Sequence, residues 1–243
     1  MQAGDAATTG TRNASPDEVA RFAALASSWW DPDGPMRPLH RMNKLRIGWI
    51  GDRISPRFPD AARVRLLDVG CGAGLAAEAL ARRGHDVLGV DAAGEAIEAA
   101  IAHAEGQGLR LAYRFGEAED LAGERFAVIT ALEVIEHVPD PARFVATLAG
   151  LLEPGGLLFL STLNRTAPAF LTAKLGAEYV LRWLPRGTHD WRKFIRPAEL
   201  GAMLRDAGLR VADLSGMTME PLTGRWRASR DVSVNYILAA ESD

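Results

Sequence analysis

The chain has 243 residues, one cysteine and a formal net charge of −3, which is enough for one sizeable domain that needs no disulfide staples. The single cysteine excludes an intramolecular disulfide framework and fits a reducing compartment, and the acidic balance argues against nucleic acid as a partner. No apolar stretch reaches the ~20 residues that span a bilayer, and residues 1–20 lack the basic start and apolar run of a signal peptide, so they read as a flexible tail before one cytoplasmic domain over 21–243.

Residues 16–54 carry no strand alternation and read as an N-terminal helical lobe. From about residue 63, short leucine-rich or β-branched runs alternate with alanine-rich segments of helical length, the pattern of parallel strands crossed by helices. Strands are predicted over 65–69, 86–90, 111–115, 126–131 and 157–163, and helices over 75–83, 95–107 and 141–152. Asp140 and Pro141 suit the N-cap and first position of the third helix, and "EPGG" after it reads as a turn. An insertion over 164–193 follows the fifth strand. "RPAELGAMLRDAGLRVADLSG" then reads as a helix and a strand, and "DVSVNYILAA" as a final strand. The fold class is α/β, a Rossmann-like, doubly wound and mostly parallel sheet with a final antiparallel strand, and with the lobe and the insertion as the variable pieces.

"DVGCGAG" places Gly70, Gly72 and Gly74 between the first strand and its helix, where bare backbone and helix N-terminal amides face a ligand. Asp91 closes the next strand in "VLGVD", a position from which a carboxylate accepts both ribose hydroxyls. Nicotinamide and S-adenosylmethionine (SAM) sites share that logic. A dinucleotide loop reads G-x-G-x-x-G around a pyrophosphate, whereas the spacing here is G-x-G-x-G, which resembles motif I of the class I SAM-dependent methyltransferases. "GEAEDL" also resembles that class, which implies Glu117 and Ala118 at the adenine edge; its bland alternative is a solvated acidic loop.

Longer segments resemble the ubiquinone biosynthesis O-methyltransferases: "FAALASSWWDPDGPMRPLHRMNKLRIGWI", "LEVIEHVPDP", "FLSTLNRT", "LGAEYVLRWLPRGTHDWRKFIRPAEL" and "DVSVNYILAA". The resemblance implies a class I methyltransferase fold and SAM-dependent methylation of a hydroxyl on polyprenylated catechol and demethylubiquinol intermediates. It also implies that Arg46 reaches the SAM carboxylate and that Leu132 packs on the cofactor, beside Gly70 and Asp91. Other ubiquinone-biosynthesis proteins are the expected protein partners. The alternatives are an O-methyltransferase for another soluble catechol or phenol, and a SAM-binding scaffold without turnover.

A phenolic hydroxyl with a pKa near ~10 must lose its proton to react at neutral pH. "EVIEH" offers two routes. With helical spacing Glu133, Glu136 and His137 converge on one side and could hold a divalent ion, for which the resemblance points to Mg²⁺; alternatively His137 is a metal-free base. Trp29 and Trp30 read either as pocket walls or as packing for the lobe. His40 and His189 read as structural, and His85 and His103 as surface residues. Within 165–187, Phe170, Val180, Leu181 and Leu184 fall at mainly helical spacing beside Lys174, Arg182 and Arg186, with Tyr179 and Trp183 suited to a bilayer interface. That segment reads as an anchor to an anionic membrane surface, placing the enzyme peripherally at the inner membrane, or as a lid over the site.

Overall fold

The computed structural model describes residues 14–34, 36–61, 63–171, 191–220 and 223–243. Five parallel strands form the larger part of an eight-stranded sheet: β1 (Arg65–Val69), β2 (Asp86–Asp91), β3 (Leu111–Phe115), β4 (Phe126–Leu132) and β5 (Leu152–Leu163). Beyond β5 lie β6 (Leu209–Met219), β7 (Trp226–Ser229) and β8 (Asn235–Ser242), and the order across the sheet is β3-β2-β1-β4-β5-β8-β6-β7. As expected, the final strand runs antiparallel; it is inserted between β5 and β6. The short edge strand β7 has no counterpart in the sequence reading.

Neighbouring strand residues bury on opposite faces, which is why the runs are continuously apolar. Leu67, Ile129, Leu158 and Leu238 pack under α5 (Pro141–Leu151) and α7 (Pro197–Asp206). Leu66, Val128, Phe159 and Ile237 pack on the other face, under α2 (Arg37–Arg57) and α3 (Leu75–Ala81), and α4 (Gly94–Ala104) adds Ile97 on that face. The long helix α2 is the body of the predicted lobe. Its buried positions Met42, Asn43, Arg46, Ile47, Ile50 and Ile54 recur at three and four residues, so one stripe faces the sheet. No described helix is long and apolar enough to cross a membrane.

Two expectations are corrected. Helix α1 (Pro16–Ala23) begins inside the stretch read as a tail, with proline in its first turn and Asp17 and Glu18 complementing its N-terminal dipole. The "EPGG" stretch is not a free turn, because β5 starts at Leu152 directly after α5. The register passes from Phe126↔Leu152 to Val128↔Leu157, so Glu153 to Gly156 bulge opposite Ala127. Gly156 permits this: a Cβ there would lie 2.9 Å from the Ala127 carbonyl oxygen.

Most of the proposed membrane-contact segment, together with His189, falls in 172–190, outside the described residues. Its described start holds a single helical turn, α6 (Ala167–Ala169), capped by the Thr166 hydroxyl.

Candidate active site

The strand order reverses between β1 and β4, and in open α/β sheets that switch point opens a crevice beyond the carboxyl ends of the strands. A cavity lies there. Gly70 and Gly72, Asp91, Glu117 and Ala118 line it from the ends of β1, β2 and β3, and Leu132, Glu133 and His137 from the end of β4. Glu18, Val19 and Phe22 of α1, with Trp29, Met36 and Leu39, supply the opposite, mainly apolar wall.

Gly72 has φ +54° and lies under the Trp29 ring, which leaves no room for a Cβ. At Gly70, φ +67°, a Cβ would stand 2.5 Å from the Val134 side chain. Gly74 is not among the residues that line the cavity. It is the N-cap of α3 and faces Tyr113, away from the cavity walls, so its lack of a side chain serves helix packing.

Asp91 fastens the loop to the neighbouring strand. Its Oδ2 accepts the Gly72 N–H and its Oδ1 the Ala93 N–H, each at 2.8 Å. Burial raises its pKa, with both amide bonds opposing. Each carboxylate oxygen has a second lone pair, so hydroxyl donors can still be accepted. Glu117 accepts the Ala14 N–H at 3.0 Å, tying the residues before α1 to the end of β3.

Behind this wall lies a row of buried polar groups. Asp68 and Thr130 are register partners on β1 and β4, and the Thr130 hydroxyl donates to Asp68 Oδ1 at 2.6 Å. Burial lifts the Asp68 pKa to about 7. Glu133 adopts φ +59°, the single positive value for a non-glycine among the described residues, a strained conformation typical of functional sites. Its Oε1 accepts the Ser161 hydroxyl at 2.8 Å and Arg46 Nη1 at 3.3 Å. Arg46 is almost fully buried and is not itself a wall of the cavity. Burial lowers its pKa, and Glu133, Asp68 and Glu136 pull it back up. Arg46 Nε, Asp68 Oδ2 and Glu136 Oε1 are all buried without a hydrogen-bond partner. Such atoms are rare in folded proteins and mark a place where a polar ligand or water belongs.

Glu133, Glu136 and His137, the expected metal ligands, each take a protein partner in this structure. Glu133 turns to Arg46 and Ser161. Glu136 accepts the Thr162 hydroxyl at 2.9 Å, and burial, then the charge of Glu133, raise its pKa to about 7. His137 Nδ1 lies 3.2 Å from Glu18 Oε2. No three groups of metal-ligating type come together among the described residues. Burial pulls the His137 pKa down, but the Glu18 hydrogen bond and the charges of Glu136, Glu18 and Glu133 outweigh it and the net shift is upward.

The tryptophans divide between their two readings. Trp29 is a cavity wall, whereas the Trp30 indole N–H donates to the Ala73 carbonyl at 2.9 Å and its ring stacks on His103 at 3.5 Å. His40 is structural, its Nε2 2.8 Å from the Trp29 carbonyl. His103 is not a plain surface residue, because it also pairs with buried Glu78 at 2.7 Å. Glu18, Ser161 and Thr162 were missed in the sequence, where nothing local marks them.

A methyltransferase-domain family matches residues 39–214. Among similar proteins, the ubiquinone biosynthesis O-methyltransferase of Azorhizobium caulinodans is 49% identical over 235 residues, covering 93% of each chain. That of Parvibaculum lavamentivorans is 50% identical with the same coverage, and that of Cereibacter sphaeroides is 48% identical over 95% of this chain and 97% of its own. Among solved structures, magnesium protoporphyrin IX methyltransferase from Synechocystis PCC 6803, with bound S-adenosylhomocysteine (SAH), superposes with a TM-score of 0.64 at 19% identity over 93% of this chain and 94% of that one. A SAM-dependent methyltransferase from Thermotoga maritima gives 0.63 at 16% identity, over 93% and 99%. At those identities the structures establish the Rossmann-like class I fold alone. The near-full-length identities, on a sheet whose switch point carries this glycine loop and carboxylate, show that the chain belongs to the ubiquinone biosynthesis O-methyltransferases.

Proposed function

We propose that this protein transfers a methyl group from SAM to a hydroxyl of polyprenylated catechol and demethylubiquinol intermediates in ubiquinone biosynthesis. The observation that carries the reading is the placement of Gly70, Gly72 and Asp91 on one cavity at the β1/β4 switch point. In this reading Asp91 takes the ribose hydroxyls, Glu117 and the Ala118 amide take the adenine edge, and Leu132 packs on the nucleoside. Arg46 lies one residue behind the wall, and its unpartnered Nε suits the SAM carboxylate. The bound sulfonium supplies an activated methyl group. The chain's share is alignment of the acceptor oxygen, exclusion of water by the apolar wall of α1 and Met36, and removal of the phenolic proton by His137.

Calorimetric titration with SAM and SAH, together with methyl transfer to a short-prenyl demethylubiquinol, tests this. Binding of both cofactors and turnover on the catechol are expected. Absence of SAM binding to folded protein would overturn the reading, and binding without transfer to any catechol would leave a scaffold.

The composition of 165–187 supports a further element, contact with an anionic membrane surface that gives access to a bilayer-dissolved substrate and to other proteins of the pathway. Flotation with vesicles rich in anionic lipid is expected to carry the protein upward, and neutral vesicles to leave it behind. Equal absence from both fractions would remove the membrane contact.

A further inference from the structure

We propose that Trp30 is a positioning residue for the cofactor cavity, clasping the N-terminal lobe to the glycine loop and to α4 so that Trp29 stays fixed as a wall over Gly72. The inference rests on the SAM reading above, which makes the ligand behind that wall the methyl donor. Trp29 and Trp30 are consecutive, but only Trp29 lines the cavity. Its buried ring lies so close on Gly72 that a Cβ there would stand 2.3 Å from its Cζ2. The Trp29 indole Nε1 is buried without a hydrogen-bond partner, so no polar bond of the ring's own holds it in place. Apolar packing with Phe22, Met36 and Ala73 surrounds it, and such contacts carry little directional preference. The direction must come from its neighbours.

Trp30 supplies it. Its indole N–H donates at 2.9 Å to the carbonyl of Ala73, between Gly72 and Gly74 in the loop itself. Its ring lies flat on the His103 imidazole, 3.5 Å away and 4° from parallel. The stack restrains the indole along its normal and the hydrogen bond restrains it within its plane, so together they fix the ring in every direction. His103 is held in turn. Its Nδ1 lies 2.7 Å from Oε1 of Glu78, a buried residue of α3 whose Oε2 pairs with Arg82 at 2.8 Å. His40 meets the Trp30 ring edge-on at 6.0 Å and takes the Trp29 carbonyl at 2.8 Å. A chain of contacts thus runs from α3 through α4 and Trp30 back to the glycine loop, with Trp29 carried on it. Without the clasp, the lobe has to be ordered anew at each binding event, which lowers affinity and shortens the lifetime of the bound cofactor.

The test uses the full chain and the variants Trp30→Ala, Trp30→Phe, His103→Ala and the Trp30→Ala/His103→Ala double variant. Stopped-flow displacement of SAH should show dissociation faster by about tenfold or more in Trp30→Ala. The KM for SAM should rise by a similar factor and kcat fall by a smaller one. Trp30→Phe keeps a ring for the stack but no N–H for Ala73, and is expected to recover part of the loss. His103→Ala, outside the cavity walls, should reproduce part of it. The double variant should match Trp30→Ala within about threefold, because both changes break one contact. In cofactor-free protein, amide hydrogen exchange over 24–34 and 70–75 should quicken in Trp30→Ala, while β4 and β5 stay protected as in the parent chain. Parent-like SAH dissociation in Trp30→Ala, additive losses in the double variant, or protection lost equally across the whole sheet would each overturn the proposal. Where Trp30→Ala does not fold, parent-like SAH dissociation in both Trp30→Phe and His103→Ala overturns it. If the parent chain binds neither SAM nor SAH, the functional reading fails by itself, and parent-like exchange over 24–34 in Trp30→Ala would still refute the clasp.

Discussion

Asp91 serves two functions through one side chain, fastening the glycine loop and presenting lone pairs to the cavity. The substitution Asp91→Asn tests both. An amide can offer an acceptor to only one of the two backbone N–H groups and turns its NH₂ toward the other. One buried donor is then left unsatisfied, at about 1–3 kcal/mol. Calorimetry should find SAM affinity lowered at least tenfold, and urea unfolding should find the chain less stable by roughly that energy; unchanged affinity would show that the carboxylate does not meet the cofactor. Asp91 was legible because a carboxylate ending the second strand after a glycine loop is a local pattern. Glu18 was not, because its significance comes from His137 and Lys193, more than a hundred positions away.

The elements divide in the same way. Strands β1 and β3 match their predicted bounds and β2 and β4 extend theirs by one residue, since buried parallel strands are continuous apolar runs that end in turn residues. The start of β5 was misread because "EPGG" has the composition of a free turn, and only pairing with β4 makes it a bulge. Helix α2 shows what an element contributes to a site beyond the residues that line it. Ile50, fully buried against the second face of the sheet, lies one turn beyond Arg46 on the same stripe. Ile50→Ala removes that anchor and should lower stability by about 2–5 kcal/mol. SAM affinity measured well below the melting temperature should change less than about threefold, because the intact helix still sets the position of Arg46. A large loss of affinity with little loss of stability would mean that α2 shifts as a unit.

At the scale of the whole molecule, the polar row behind the cavity makes stability depend on pH in an unusual direction. Asp68 has a folded pKa of about 7 against an ordinary 3.8, so between those values the folded state binds more protons than the unfolded chain. Its contribution therefore falls as pH rises from about 4 to about 7 and levels off above that. Glu136, also near 7, acts in the same sense. Asp68→Asn mimics the protonated acid at every pH, and relative to the parent chain it should gain about 2–3 kcal/mol in urea unfolding between pH 5 and pH 8. A difference that does not vary with pH would show that Asp68 is ionised throughout.

The order of apolar runs, the glycine loop and the acid that follows it are written in consecutive residues, so the sequence alone determined the doubly wound sheet and that Gly70, Gly72 and Asp91 meet at the carboxyl ends of its first two strands. Tertiary structure alone decided that His137 meets Glu18, that Glu133 turns to Arg46 and Ser161, and that Gly74 packs against Tyr113. Those outcomes depend on side chains brought together from separate elements, where burial removes water and each charge must take the partner the fold supplies.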